Sequence, residues 1–259
     1  MKKLLTAALC LLLIMSLTLA GVAQAATPTL DAIKAKGKLV MMTNATFPPF
    51  EYIKDTQFAG IDIDLSQMVA DKLGVELEVV DMDFGLLIEA LKGGKGDLVA
   101  AGMTLTEERQ QQIDFSMVYI KNGLLVITAA GSDIKTLEDL AGKKVSVQEA
   151  TTGDIWASEN IQGVNLQQYK SAVEAANAVA TGKADACVMD KLPAESIVKN
   201  NEGKLALLEQ MASEEDTAMG IAKGKEDFVA FVNEVLQEAI DSGALQASID
   251  KHMVEGAGD

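Results

Sequence analysis

Arg109 is the residue whose placement first asks for a chemical explanation. It follows Thr106-Glu107-Glu108, a pattern that predicts a helix capped by Thr106 with two acids in its first turn, where the macrodipole favours negative charge. A cation in that turn sits at the positive end of the dipole, so something else must favour it. A bound carboxylate beside the free amides of the turn would do so, gripped by the guanidinium fork. The other reading is an exposed arginine paired with Glu107 or a neighbour. Upstream, Leu98-Val99-Ala100-Ala101 reads as a short buried strand, and Gly102-Met103-Thr104-Leu105 as the turn that carries the chain into the helix.

Two further stretches have the residue types for ligand contact. Ala150-Thr151-Thr152-Gly153 joins a predicted strand over 144–147 to a helix over 154–160. That is an anion-binding arrangement, although threonine there is equally an ordinary N-cap. Asn44-Ala45-Thr46-Phe47-Pro48-Pro49-Phe50-Glu51-Tyr52 follows a buried strand over 39–43, and its paired prolines forbid helix and predict an extended loop. Aromatics on such a loop either pack on a ligand or plug the core.

Much other chemistry is excluded. The single histidine is His252, so a His-rich metal site cannot be built and a Ser-His-Asp arrangement would need this tail position. No Walker A loop, GxGxxG, GxSxG or HExxH occurs, and no cofactor or metal is expected. The formal charge of −16, spread along the chain rather than in blocks, argues against nucleic-acid or anionic-membrane partners.

The elements that must position these residues begin after a targeting segment. Lys2 and Lys3, the apolar run from Leu4 to Leu19 and Ala23-Gln24-Ala25 read as a signal peptide over 1–25, cleaved after Ala25. Cys10 lies inside the apolar run, so lipid attachment at a mature N-terminal cysteine is not expected. Removal of 25 of the 259 residues leaves 234, and loss of the two lysines lowers −16 by two to −18. Cys187 is then the one thiol, and Ala186-Cys187-Val188-Met189 is a strand that would bury it.

Along the remainder, a helix from Leu30 stops at Gly37. Leu65, Met68, Val69 and Leu73 mark a helix ended by Gly74, and Val75 to Val80 alternates as a half-exposed strand. Phe84, Leu87, Ile88 and Leu91 mark another helix ending at Gly93-Gly94. Residues 113–119 are irregular, and Leu124 to Ile127 is a strand that crosses to a second lobe. Thr136 is expected to cap a short helix through Leu140, Ser171 a helix over 172–180, and Pro193 to begin another. Thr217 to Ala222 is the returning strand, and Phe228, Phe231, Val232, Val235, Leu236 and Ile240 form the core stripe of a closing helix.

Helix, Gly94-Lys95-Gly96-Asp97, strand is matched by helix, Gly182-Lys183-Ala184-Asp185, strand, which favours two similarly built lobes. The expected fold is α/β and two-lobed, each lobe a mainly parallel sheet flanked by helices, joined by two crossing strands. Lobe 1 comprises 26–122 and 219–259, and lobe 2 comprises 123–218. Ligands of open α/β sheets bind beyond the carboxyl ends of strands, which places Gly102 and Asp190 at corresponding edges.

In their order and spacing, the 44–52 loop, Gly60-Ile61-Asp62-Ile63-Asp64-Leu65, the 101–109 stretch, Ile113-Asp114-Phe115-Ser116 and Asp185-Ala186-Cys187-Val188-Met189-Asp190 resemble the polar amino-acid family of extracytoplasmic solute-binding proteins that feed ABC transporters. The likeness spans essentially the whole mature chain and implies a periplasmic-binding-protein fold. It implies a periplasmic monomer that binds a free L-amino acid and delivers it to the membrane permease of an ABC importer, without catalysis. By this resemblance Arg109 clamps the ligand carboxylate, helped by the Gly102 amide and the hydroxyls of Thr104, Thr151 and Thr152. Asp190 pairs with the ammonium, the carbonyl of Gly102 or Ala101 being a second acceptor, and Phe47 and Phe84 pack on the side chain.

Departures bear on specificity. Relatives that prefer basic amino acids often carry an acid at the position of Asn44, and relatives often have glycine where Ala150 stands. Gln148, Glu149 and Met189 fall where selectivity would be set, and a neutral polar amino acid is the first expectation. The alternative on this fold is a cyclohexadienyl dehydratase-like enzyme. Its catalytic glutamate would align with Gly153, with Asp154 and Glu149 the nearest spare acids.

Overall fold

The computed structural model describes residues 29–255; the signal segment over 1–25 and its cleavage site lie outside the described residues. The chain enters through α1 (Thr29–Lys36) and β1 (Lys38–Thr43). The proline loop, expected to be extended throughout, folds instead into a small antiparallel sheet of β2 (Thr46–Phe47), β3 (Glu51–Lys54) and β4 (Gln57–Ala59), with a cis Pro48–Pro49 bond in its first turn. Then come α2 (Ile61–Leu73), β5 (Glu76–Asp81), a 3-10 turn at Phe84–Leu86 and α3 (Leu87–Lys92). After β6 (Leu98–Val99), α4 (Glu107–Gln112) and β7 (Asp114–Phe115), β8 (Ile120–Ala129) leaves the first sheet.

The second sheet grows from β8 through β9 (Lys144–Gln148), α5 (Thr152–Asn160), β10 (Asn165–Tyr169), α6 (Ala172–Ala180), β11 (Ala186–Asp190) and α7 (Lys191–Asn200). It is completed by β12 (Leu205–Leu207) and β13 (Ser213–Thr217). The chain then returns to the first sheet as β14 (Gly220–Ile221) and closes with α8 (Glu226–Asp241) and α9 (Ala244–Glu255).

Both sheets are mixed rather than mainly parallel. Each has a three-stranded parallel core, β5-β1-β6 in the first and β10-β9-β11 in the second. The antiparallel strands are those made by the crossings: β14 and β7 on the first sheet, β8, β12 and β13 on the second. The expected single returning strand is split, because Ser213–Thr217 pairs with β8 from Leu124 to Ile120 before Gly220–Ile221 joins β6. Alternation along β1 sets the layers. Leu39 and Met41 pack with Leu65 and Val69 of α2 and Phe228 and Val232 of α8, while Met42 faces Leu87 and Leu91 of α3. The closing stripe is narrower than its spacing suggested: Ile240 is 38% exposed, and Phe231 is partly buried beneath Lys72, whose Nζ lies 5.8 Å from the ring centre.

The two GKxD turns do the same structural work. Asp97 donates its amide to Val40 O at 2.8 Å and accepts from Val40 N at 2.8 Å. Asp185 does the same with Lys144 O and Lys144 N, each at 2.8 Å. Each aspartate thus fastens a central strand to the start of its parallel neighbour. The predicted caps at Ser171 and Thr106 are present, accepting from Glu174 N at 3.3 Å and Arg109 N at 3.2 Å. The expected Thr136 helix is a 3-10 turn at Glu138–Leu140, where Asp139 accepts from the Lys135 and Thr136 amides. Among the described residues no helix is long and apolar enough to cross a membrane.

Candidate functional site

The parallel strands β1, β6, β9 and β11 point their carboxyl ends at one cavity. All ten residues singled out from the sequence line it: Asn44, Phe47, Phe84, Ala101, Gly102, Thr104 and Arg109 from segments around the first sheet, Thr151, Thr152 and Asp190 from the second. Glu51 and Gln148 complete the wall.

Arg109 is not an exposed partner of Glu107. It is 8% exposed, and its guanidinium lies over Phe84 with Cζ 5.2 Å from the ring centre. Nη1 donates to Thr104 O at 2.8 Å and Nη2 to Ala150 O at 3.2 Å, so the side chain ties the loop after β6 to the loop after β9. A guanidinium carries five N–H donors, and these two bonds leave a fork for a carboxylate. Burial pulls its pKa down, opposed by the charges of Asp190, Glu215 and Glu108. Ala150 reaches the guanidinium through a positive φ of 63°, a conformation that favours glycine.

Several donors expected to assist Arg109 have other acceptors. The Gly102 amide donates to Asp62 Oδ2 at 2.8 Å. Thr104 Oγ1 and Thr152 Oγ1 donate to the same oxygen of Glu215, at 2.7 and 2.9 Å. Thr151 Oγ1 donates to Gln148 O at 2.8 Å and accepts from Asp154 N at 3.3 Å as the cap of α5. A hydroxyl has one proton to give, so these three threonines shape the cavity while their donors are already engaged. Gly102 has φ 55°, and a Cβ there would lie 2.8 Å from the Phe47 ring. Phe47 in turn stacks on Phe50, with centroids 5.9 Å apart. Asn44 has partners of its own: Nδ2 donates to Met82 O at 3.0 Å, and Oδ1 accepts from Thr46 Oγ1 at 2.9 Å and Gln148 Nε2 at 2.7 Å.

Of the three positions expected to set selectivity, Gln148 lines the cavity. Met189 is packed in the core, and Glu149 pairs with Lys170. Asp154, one of the spare acids weighed for catalysis, braces its own loop by accepting from Ala150 N at 3.0 Å and Gln168 Nε2 at 2.8 and 2.9 Å.

The cavity's electrostatics come from buried acids. Asp190 is 4% exposed and accepts from Asn122 Nδ2 at 3.1 Å. Burial, then Glu215, hold its pKa well above the usual carboxylate range, and Arg109 opposes them. Asp62 sits just behind the wall, bonded to the Gly102 amide and to Tyr119 Oη at 2.6 Å; burial lifts its pKa to about 6 against those bonds. Glu51 is 1% exposed and neither of its carboxyl oxygens has a donor. Burial first, then the charge of Asp62, raise its pKa well above normal. Glu51, Asp62 and Glu215 were not singled out from the sequence as site residues. The available signal for Glu51 was an acid opening a strand between two aromatics, immediately after a proline turn.

Residues 39–255 match the family described as bacterial extracellular solute-binding proteins, family 3. The chain is 34% identical over 214 residues to the arginine-binding extracellular protein ArtP of Bacillus subtilis, covering 82% of this chain and 84% of that protein. It is 30% identical over 225 residues to the L-cystine-binding protein TcyJ of Escherichia coli, covering 86% and 85%. Among solved structures, a mutant of ArgBP from T. maritima superposes with a TM-score of 0.82 at 36% identity, covering 87% of this chain and 99% of that one. An ancestral amino acid-binding protein, a precursor of cyclohexadienyl dehydratase, has the same TM-score at 32% identity and the same coverage. With this match across nearly all the described residues, and a cleft at the strand ends lined by a buried arginine and buried acids, the chain belongs to the bacterial extracellular solute-binding proteins of family 3 and is an amino-acid-binding protein of the ABC-transporter type.

Proposed function

We propose that the cavity takes a free L-α-amino acid as a zwitterion, with the carboxylate on Arg109 and the ammonium on Asp190. The carbonyl of Ala101 or Gly102 is a second acceptor for the ammonium, and Phe47 and Phe84 pack on the side chain. The observation that carries this reading is one buried guanidinium and one buried carboxylate lining the same cavity from different sheets. The lobes divide as 26–122 with 219–259, and 123–218, with the paired stretch Ile120–Asn122 and Glu215–Thr217 as the hinge ribbon. The protein acts as a monomer in the periplasm after cleavage behind Ala25 and delivers its ligand to the permease of an ABC importer. Intact mass of exported protein tests the cleavage: a retained leader or an added acyl mass refutes it.

A panel of the twenty amino acids, run on refolded protein freed of carried-over ligand, tests the binding reading. At about 100 times Kd the linkage stabilisation is about 2.7 kcal/mol, which a melting scan resolves. Stabilisation by sugars or peptides alone refutes it. The relatives named above are binding proteins rather than enzymes, and we infer the same here. A side chain at Gly153, where the dehydratase acid would align, would place its Cβ 3.0 Å from Val188 O. Turnover of prephenate or arogenate would overturn that inference.

A further inference from the structure

The strand that returns from the second sheet carries a carboxylate that reaches both loops around Arg109. Glu215 lies in β13, opposite Asn122 of β8, and is half-buried. Its Oε2 accepts from Thr104 Oγ1 at 2.7 Å and from Thr152 Oγ1 at 2.9 Å, and those two hydroxyl oxygens are 3.4 Å apart. Thr104 belongs to the loop after β6 and Thr152 opens α5 after β9, so one oxygen ties a segment of each sheet to β13. Oε1 accepts from Ser213 Oγ at 3.3 Å, which steadies the carboxylate against its own strand.

Arg109 joins the same two segments, through Nη1 to Thr104 O and Nη2 to Ala150 O. The bonds therefore close a circuit from Glu215 to Thr104, on to Arg109 and Ala150, and through Thr152 back to Glu215. A closed ring of bonds holds each member in fewer positions than the same bonds in an open chain. Backbone bonds reinforce one side of it: Leu105 N donates to Asp216 O at 2.8 Å and Ala218 N to Met103 O at 3.1 Å. On the other side Thr152 meets β13 through the Glu215 side chain.

We propose that Glu215 is a positioning residue for amino-acid binding: by holding Thr104 and Thr152 together from β13 it sets the separation of the two loops, and with it the aim of the Arg109 fork, without touching the ligand. The proposal rests on the reading that Arg109 takes the ligand carboxylate. Glu215 also acts by charge, favouring the Arg109 cation and opposing the Asp190 anion. Glutamine separates the two effects. Its Oε1 can accept both hydroxyls while Nε2 donates to Ser213 Oγ, so the ring survives and the charge is lost.

The test is calorimetry with the amino acid that most raises the melting temperature, on wild type, Glu215→Gln and Glu215→Ala. Glu215→Ala should lose at least tenfold in affinity, and Glu215→Gln should stay within threefold of wild type. Glutamine falling as far as alanine would overturn the clasp in favour of charge. Unchanged or tighter binding by Glu215→Ala would also overturn it, the latter by showing that Glu215 competes with the ligand carboxylate. Should Glu215→Ala fail to fold, Glu215→Thr suits a strand, is too short to reach both hydroxyls and carries the same expectation. A second measurement needs no ligand: the distance between nitroxide labels at Lys95→Cys and Lys183→Cys, exposed positions on the two GKxD turns, with Cys187 buried away from the label. Glu215→Ala should add a longer separation that wild type and Glu215→Gln lack, and an unchanged distribution would refute the proposal. Wild type that binds no amino acid would remove the zwitterion reading and leave the label distances to decide whether Glu215 holds the loops.

Discussion

Replacing Arg109 with methionine removes the charge while keeping much of the side chain's apolar volume, so the effect isolates what the guanidinium does. The variant loses the bonds to Thr104 O and Ala150 O and the contact with Phe84. It also leaves the ligand carboxylate buried without a cation. Truncating one partner of a buried charge pair costs about 2–5 kcal/mol, which at 1.4 kcal/mol per decade is a loss of about 30- to 4,000-fold in affinity. Arg109→Lys keeps the charge but not the fork, and should fall between wild type and Arg109→Met. Isothermal calorimetry with the amino acid chosen by the melting panel measures both. Repeating it with that amino acid's α-carboxamide separates the carboxylate from the rest: wild type should discriminate strongly against the amide, and Arg109→Met much less. Binding of the native ligand by Arg109→Met within about twofold of wild type would refute the clamp.

Asp190→Asn should weaken binding at least about tenfold by leaving the ammonium unpaired. Because burial already disfavours the Asp190 charge, its ligand-free form should be as stable as wild type or more so in urea titration. Gly102→Ala combines a φ of 55° with a Cβ 2.8 Å from Phe47 and should cost about 2 kcal/mol or more in the same assay. At Ala150, whose φ is 63°, glycine relieves backbone strain but adds unfolded-state entropy, so Ala150→Gly should change stability by less than about 1 kcal/mol. In the pH profile, Asp62 titrates near 6 when folded and near 3.8 when unfolded. The unfolded chain therefore gives up that proton first, and ligand-free stability should fall as pH rises from about 4 through about 6. A stability that rises across that window would contradict the buried acids.

The parts of this molecule legible in its sequence are those set by local chemistry. The GKxD turns, the caps at Thr106, Ser171 and Thr151, and the glycine stops depend on residues a few positions apart. Arg109 was legible because it violated a local rule, and residues that do so tend to serve a site. The strands β10 and β12 were not anticipated. Asn165-Leu166-Gln167-Gln168-Tyr169 is polar and half-exposed at a sheet edge, so it lacks the apolar run that marks a central strand. The helix α9 was missed for a similar reason: after Gly243 its apolar positions are sparse, and it is held by long-range partners. His252 there is buried between Tyr52 Oη and Asp64 Oδ2, each at 2.9 Å.

The ten residues singled out from the sequence line one cavity, but which of their donors were spent was not legible. Whether Thr104 can serve a ligand depends on Glu215, 111 positions away, and whether Asn44 can depends on Gln148 across the cleft. These same bonds join the loops of the two sheets: Arg109 to Ala150, Asn44 to Gln148, and Thr104 and Thr152 to one oxygen of Glu215. Each is worth only about 0.5–1.5 kcal/mol net, while Glu51, Asp62 and Asp190 are buried nearby against their preference for charge. The polar bonds that draw the loops together are thus opposed by the acids enclosed between them. A solute can shift that balance only through contacts that differ between open and closed arrangements. An ammonium placed on Asp190, as proposed above, would do so by turning an opposing charge into an ion pair.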